Sequence, residues 1–277
     1  MYYVFVEKEK YIMQKFISSS VTKNFEDAVK LAADLNCNLE ISRFAPNLDD
    51  IDSTFTKRIE AMKKALFYFK GETSLHGFLF DLSVVSLDPL IKEVSIKRFQ
   101  QSLDAAKYLG AKTVVYHTGF NAYLNHSMYR LMFKEKFTAF WKTFVKQFEY
   151  TGITAVLENV QEKTPEFILD VVKEVNSPNL KVSLDIGHVN IHSKVPVVDW
   201  IQSYNKYLHH MHLHNNYGKD DSHNTILKGT INVQEVFQTI KNLNLNPKMV
   251  FEIFDKNELK ESLQFFDDYF MQDKIRK

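Results

Sequence analysis

The sequence predicts an α/β fold in which eight parallel strands and their helices close into a single (β/α)8 TIM barrel. Three observations support this prediction. Short apolar runs alternate with longer helical patterns about eight times along the 277 residues. Most of these runs are β-branched or apolar on both faces, as in parallel strands that are covered on both sides. No proline-rich or Gly/Ser-rich linker divides the chain, so residues 1–277 are expected to form one domain. A doubly wound open sheet is the alternative.

The strands are predicted from their apolar character and their short length. They cover residues 15–20, 38–43, 73–80, 113–117, 153–158, 180–185, 210–214 and 248–253. No glycine-rich phosphate-binding loop follows the early strands, so nucleotide binding at such a turn has no support.

The intervening helices are predicted from an apolar period of 3.6 residues and from capping residues. An aromatic stripe over residues 133–148 keeps this period and is expected to pack in the core. The capping signals are Asn24 and Asn232 at helix starts, Gly110 at a helix end, and Thr164 as an N-cap with Pro165 at the first helical position.

Composition narrows the function classes. Lys and Arg number 35 against 34 for Asp and Glu, a net charge of +1, and a dedicated nucleic-acid binder usually shows a basic excess. A single cysteine, Cys37, excludes an intrachain disulfide framework and fits a reducing compartment. The N-terminus does not resemble a secretory signal, and no run approaches the roughly 18 apolar residues of a membrane span. We therefore expect a cytoplasmic protein without a membrane partner.

A histidine or a carboxylate stands at the end of six successive predicted strands. These residues are His76, His117, Glu158, Asp185, His212 and Glu252. In a barrel the carboxyl ends of the strands form the active-site face. Glu158 and Glu252 follow strongly apolar runs, where a carboxylate needs a partner to stay charged.

Further candidates lie on the loops beyond these strands. His188 stands three residues after Asp185, and Asp221 and His223 follow the seventh strand. Imidazole and carboxylate together are the ligand set of Zn²⁺ and Mn²⁺. Converging carboxylates would repel one another without a cation, so a metal centre is predicted. The alternative for Asp221 and His223 is an ordinary solvated loop.

The sequence resembles a known superfamily. The segments SLHGFLFDLS, VVYHTG, VLEN, SLDIGH, HLHNN, DDSH and FE are similar, in order, to those of the xylose isomerase-like TIM barrels. This group contains sugar-phosphate isomerases and epimerases as well as endonuclease IV. The resemblance extends from about Thr73 to Glu252 and is specific for the superfamily, not for one substrate.

For the isomerases and epimerases, the resemblance implies a divalent ion held by four residues: Glu158, Asp185, His212 and Glu252. Glu158 and Glu252 would also be the catalytic acid and base, and His188 would contact the substrate. We assign His214 and Asn215 to substrate binding as well. The implied partner is a small sugar or sugar phosphate.

For endonuclease IV, the resemblance implies three zinc ions. The corresponding ligand positions are all filled by suitable residues: His76, His117, Glu158, Asp185, His188, His212, Asp221, His223 and Glu252. Several features depart from that enzyme. Thr118 replaces a proline, Asn215 replaces an aspartate, and the chain has only five arginines. A nucleic-acid partner is therefore the disfavoured alternative.

Three hypotheses follow. The preferred one is a sugar or sugar-phosphate isomerase or epimerase that uses Zn²⁺ or Mn²⁺. The second is a multinuclear zinc phosphoesterase that acts on abasic DNA or another phosphate ester. The third is a barrel that binds metal or sugar without turnover. Together they allow one to three ions per chain, and the oligomeric state stays open.

Overall fold

The computed structural model describes residues 13–42, 51–124 and 126–271. Its strands are all parallel and form a closed barrel in which each strand pairs with its neighbours in sequence and the last pairs with the first. They are β1 (Lys15–Ser18), β2 (Asn38–Ile41), β3 (Thr73–His76), β4 (Thr113–His117), β5 (Thr154–Glu158), β6 (Leu180–Asp185), β7 (Leu208–Leu213) and β8 (Lys248–Phe251). The (β/α)8 prediction is confirmed. Most predicted strands contain the observed ones, whereas β7 begins two residues earlier, and Arg43 lies outside the described residues.

The helices cover the outside of the barrel. They are α1 (Phe25–Asp34), α2 (Ile51–Ala65), α3 (Pro89–Leu109), α4 (Ser127–Phe144), α5 (Glu166–Val175), α6 (Ile186–His192), α7 (Val197–Tyr204), α8 (Val233–Asn242) and α9 (Lys256–Met271). Within the described ranges, none of these helices has the length and apolar character that crossing a membrane requires.

Three of the capping predictions are confirmed. The side chains of Asn24 and Asn232 accept hydrogen bonds from the third residue of α1 and α8, and Gly110 ends α3 at φ 85°. The prediction that Thr164 caps α5 is wrong. The carbonyl of Pro165 already accepts the first helical hydrogen bond, from Leu169, so Pro165 is the N-cap and Thr164 precedes the helix.

The aromatic stripe of α4 packs in the core, as predicted. Trp141 is fully buried, and its ring centroid lies 5.4 Å from that of Tyr116 on β4. The Tyr116 hydroxyl donates a hydrogen bond to the Phe99 carbonyl of α3. Because side chains alternate along a strand, Tyr116 packs against the outer helices while His117 faces the barrel mouth.

The strand register brings the predicted site residues together at the carboxyl end of the barrel. His117 pairs with Glu158 across β4 and β5, and Asp185 pairs with His212 across β6 and β7. A register shift between Val182 and Ser183 precedes the second pair. Each of the two pairings therefore places an imidazole beside a carboxylate of the adjacent strand.

Candidate metal centre

Four side chains converge on one point at the mouth of the barrel. His212 Nδ1 lies 2.7 Å from Glu158 Oε1, 3.6 Å from Asp185 Oδ2 and 3.6 Å from Glu252 Oε2. Three strand ends supply Glu158, Asp185 and His212, and Glu252 directly follows β8. One imidazole nitrogen therefore faces three carboxylates, which is a donor set suited to a divalent cation.

Two of these carboxylates, Glu158 and Asp185, keep a low pKa in spite of their burial. Burial raises the pKa of Glu158, but the neighbouring His212 and His117 outweigh it and hold this pKa well below its ordinary value. Burial acts on Asp185 in the same way, and His188 and His214 likewise lower its pKa. A cation bound between these carboxylates would neutralise their negative charge.

Sequence reasoning missed Glu40, which contacts His212 from the barrel interior. Glu40 is fully buried, and its Oε1 accepts a hydrogen bond of 2.9 Å from His212 Nε2. His210 and Ser74 contact the other oxygen at 2.8 and 2.9 Å. With a cation bound, Glu40 would hold the His212 proton on Nε2, and Nδ1 would then be available as a ligand. A carboxylate inside the apolar run of β2 was the signal that could have found it.

His76 and His117 approach the same glutamate from another side. Their Nε2 atoms lie 3.3 and 3.1 Å from Glu158 Oε2. This oxygen is buried, yet it has no hydrogen-bond partner of adequate geometry within the described part of the chain. Two ring nitrogens and one orphaned oxygen that face a common space fit a shared cation, so the residues present suit a metal.

The loop residues predicted at the mouth form a third group. Asp221 Oδ2 lies 3.3 Å from His188 Nε2 and 3.0 Å from His223 Nε2. The alternative of an ordinary solvated loop is wrong for His223, because its Nδ1 is 2.7 Å from the Glu252 carbonyl and its ring is largely buried.

Backbone carbonyls orient several of these rings. The Nδ1 atoms of His76, His188 and His223 lie 3.1, 2.9 and 2.7 Å from the carbonyls of Gly77, Asn159 and Glu252. An Nδ1–H that donates to a carbonyl leaves Nε2 available as a metal ligand. The histidines are thus held in the tautomer that ligation requires.

The DIGH segment folds tightly where β6 meets α6. Asp185 is the N-cap of α6, since its Oδ1 accepts a hydrogen bond of 2.7 Å from the His188 N–H. Gly187 is required by packing, because a Cβ at this position would lie 2.0 Å from His214 Cε1. Asn159 exchanges hydrogen bonds of 2.9 and 3.0 Å with the Asp185 backbone and joins the ends of β5 and β6.

Two residues assigned to substrate binding have other contacts. His214 is fully buried, and its Nε2 lies 3.1 Å from Asp185 Oδ1. The Asn215 Nδ2 group donates hydrogen bonds to the Ile226 and Ile231 carbonyls, and its Oδ1 accepts one from the Ile231 N–H. All of these partners lie in the loop after β7. Neither residue lines the cavity above the centre, so we do not retain them as substrate contacts.

A cavity of about 460 Å³ opens above the converging side chains. The candidate ligands that line it are His76, His117, Glu158, His188, Asp221, His223 and Glu252, and Ser20, Ser42 and Asp81 also contribute polar groups. Phe254 closes one side, with its ring stacked 4.3 Å from that of His223. The cavity is large enough for a small polyhydroxylated ligand whose oxygens reach the centre.

Comparisons with known proteins agree with the barrel fold. The chain is 26% identical over 220 residues to the uncharacterized protein MJ1311 of Methanocaldococcus jannaschii, which covers 77% of this chain and 75% of that protein. The fold of the present chain is similar to that of a D-tagatose 3-epimerase-like protein, with a TM-score of 0.78 and 23% identity, over 93% of this chain and 97% of that one. It is also similar to D-psicose 3-epimerase with D-tagatose from Clostridium cellulolyticum H10, with a TM-score of 0.74, 17% identity and coverage of 94% and 99%.

At this level of identity the two solved structures establish the fold alone. The family model described as xylose isomerase-like TIM barrel matches residues 29–269, which include every candidate ligand of the centre. The chain therefore belongs to the xylose isomerase-like TIM barrel family.

Proposed function

We propose that the protein is a divalent-metal-dependent isomerase or epimerase of a sugar or sugar phosphate. The observation that carries the proposal is the convergence of Glu158, Asp185 and Glu252 on His212 Nδ1, at 2.7 to 3.6 Å, beneath a cavity of sugar size. These four residues would hold the ion, and three carboxylates with one imidazole suit Mn²⁺ or Zn²⁺. When bound, the ion would polarise a substrate carbonyl and make the adjacent C–H acidic.

We infer that the two glutamates transfer protons on different sides of a bound sugar. Glu158 ends β5 and Glu252 follows β8, three strands further around the closed barrel. Epimerisation requires that a proton leave one face of a carbon and return to the other face. One glutamate takes the proton while the other supplies one, and the roles exchange in the reverse direction. His188 lines the cavity and would contact the substrate oxygens.

The similar folds named above support a sugar substrate. One solved relative is described as an epimerase-like protein and another as an epimerase with D-tagatose. Because both are less than 25% identical to this chain, the substrate itself remains part of the proposal.

A multinuclear phosphoesterase is the second candidate, and one observation favours it. Beyond the four central ligands, His76 and His117 face Glu158, while His188 and His223 flank Asp221. Such a set would hold two further ions that activate water and neutralise a phosphodiester. The balanced charge and the five arginines speak against a nucleic-acid backbone as the substrate.

The deciding experiment follows proton exchange. Protein loaded with Mn²⁺, Co²⁺ or Zn²⁺ is incubated in D₂O with a panel of ketoses and ketose phosphates, and deuterium uptake at carbon is measured by NMR. We expect uptake with at least one member and no cleavage of abasic-site DNA. Cleavage of that DNA without exchange on any sugar would replace the first proposal with the second.

A further inference from the structure

A second cavity lies beside the metal centre. Its volume is about 620 Å³, and it is lined by the segments that follow β3, β4 and β5 together with the first turns of α4. Leu79, Asp81, His117 and Val160 line both this space and the cavity above the centre. The two spaces therefore adjoin at these four residues, beside His117 of the candidate centre. We call the second space the side cavity.

The walls of the side cavity are mostly apolar. Phe120, Tyr129, Met132 and Phe133 form its floor together with Val85. Phe133 belongs to the buried core, and its ring lies 5.4 Å from that of Phe120, so this floor is firmly packed. Aromatic and aliphatic walls around a preformed space are typical of sites that take an apolar group.

Strongly exposed apolar side chains surround its entrance. Leu87 and Tyr123 are 74% and 82% exposed, and Leu124 is also exposed. Exposed apolar residues that cluster around a cavity, unlike isolated ones, indicate a binding surface.

The charges of the side cavity are unfavourable for an anion. Among the residues the structure describes, neither cavity is lined by a lysine or an arginine. Asp81 and Asp88 line the side cavity instead, and the Asp88 carboxylate also caps α3. A phosphate placed there would meet negative charge and lack the cationic partner that such groups require.

We propose that the side cavity is a subsite for an apolar group of aromatic size, carried by a neutral substrate that is anchored at the metal centre. The substrate class is then an uncharged sugar or polyol derivative with an apolar substituent, not a sugar phosphate. The inference rests on the proposed function, because the metal centre supplies the anchor.

Hydroxamic acids test the subsite independently of turnover, because their two adjacent oxygens chelate a divalent ion. Binding to Mn²⁺-loaded protein is measured by isothermal titration calorimetry for three probes. Acetohydroxamic acid supplies the anchor alone, 3-phenylpropanohydroxamic acid adds an aromatic group, and phosphonoacetohydroxamic acid adds an anion. We expect the phenyl probe to bind about 10- to 100-fold more tightly than the anchor, because the side cavity buries the ring. The phosphonate probe should bind no more tightly than the anchor.

Variants place the gain in the side cavity. Met132→Lys introduces a charge into its floor and should abolish the advantage of the phenyl probe while leaving acetohydroxamic acid binding unchanged. Leu124→Lys, at an exposed position of the same cavity, provides the same test if Met132→Lys is poorly folded. Leu131→Lys is the matched control, since Leu131 is an exposed residue of α4 that does not line the cavity.

Each outcome is informative. Equal affinities for the anchor and the phenyl probe, or tighter binding of the phosphonate probe, would overturn the subsite and leave the proposed function intact. An equal loss in Leu131→Lys would also overturn it. If no hydroxamate binds and no metal is retained, both the metal centre and the subsite are refuted.

Discussion

Glu40 Oε1 lies 2.9 Å from His212 Nε2, on the side of the ring that faces away from the three converging carboxylates. The hydrogen bond between them joins β2 to β7 across the interior of the barrel. A carboxylate that receives the distal proton of a ligating histidine orients the ring and raises its basicity. The orientation of His212 thus depends on Glu40, which is not one of the four candidate ligands.

Replacement of Glu40 by glutamine should weaken metal binding by about 10- to 100-fold, because the amide keeps the shape but loses the charge that strengthens His212 as a ligand. The dissociation constant for Mn²⁺, measured by calorimetry, checks this. Glu72→Gln is the matched control, since Glu72 pairs with Lys248 at the opposite end of the barrel. Equal affinities for both variants and the native protein would show that Glu40 does not support the centre.

Glu252→Gln should abolish sugar turnover, with a loss of at least about 10²-fold, while the fold is preserved. The substitution removes both a ligand charge and a proton carrier. Deuterium exchange into the substrate measures the first effect, and circular dichroism checks the second. The exposed Glu261→Gln serves as the control for a simple loss of charge. Native turnover in Glu252→Gln would refute its catalytic assignment.

Metal content separates the two candidate functions. We expect about one equivalent per chain in the native protein, and the same value in His223→Ala, because His223 faces Asp221 and is not one of the four central ligands. His212→Ala should lose the ion. Inductively coupled plasma mass spectrometry on protein purified without added metal gives these counts. Three equivalents that fall to two in His223→Ala would support the phosphoesterase.

The thiol of Cys37 should resist modification in the folded protein. The residue is only 5% exposed, and burial raises the pKa of its thiol to about 11. A thiol whose pKa is raised stays protonated until the pH approaches the new value, so at pH 8 only about one molecule in a thousand carries the reactive thiolate. Labelling with a disulfide reagent should be slow in native buffer and complete in guanidinium chloride. Rapid labelling of the native protein at pH 8 would contradict the packing around β2.

The sequence by itself determined the barrel and most of the candidate metal centre. The position of each apolar run along the chain and the alternation of its side chains are local properties. An apolar run that ends in Glu158 or Asp185 therefore places that carboxylate at the mouth once the strands form a parallel barrel. The resemblance to a known family then implied which of these candidates would hold a single ion and which would hold three.

Tertiary structure alone decided which atoms face one another. Asn215 follows β7 closely in sequence, but its side-chain amide forms hydrogen bonds with the backbone of Ile231 in the loop after that strand. Glu40 lies far from His212 in sequence, and only closure of the barrel brings them to 2.9 Å. The side cavity likewise arises between segments that share no sequence motif. Contacts between distant segments depend on the register and packing of the whole barrel, which no local pattern encodes.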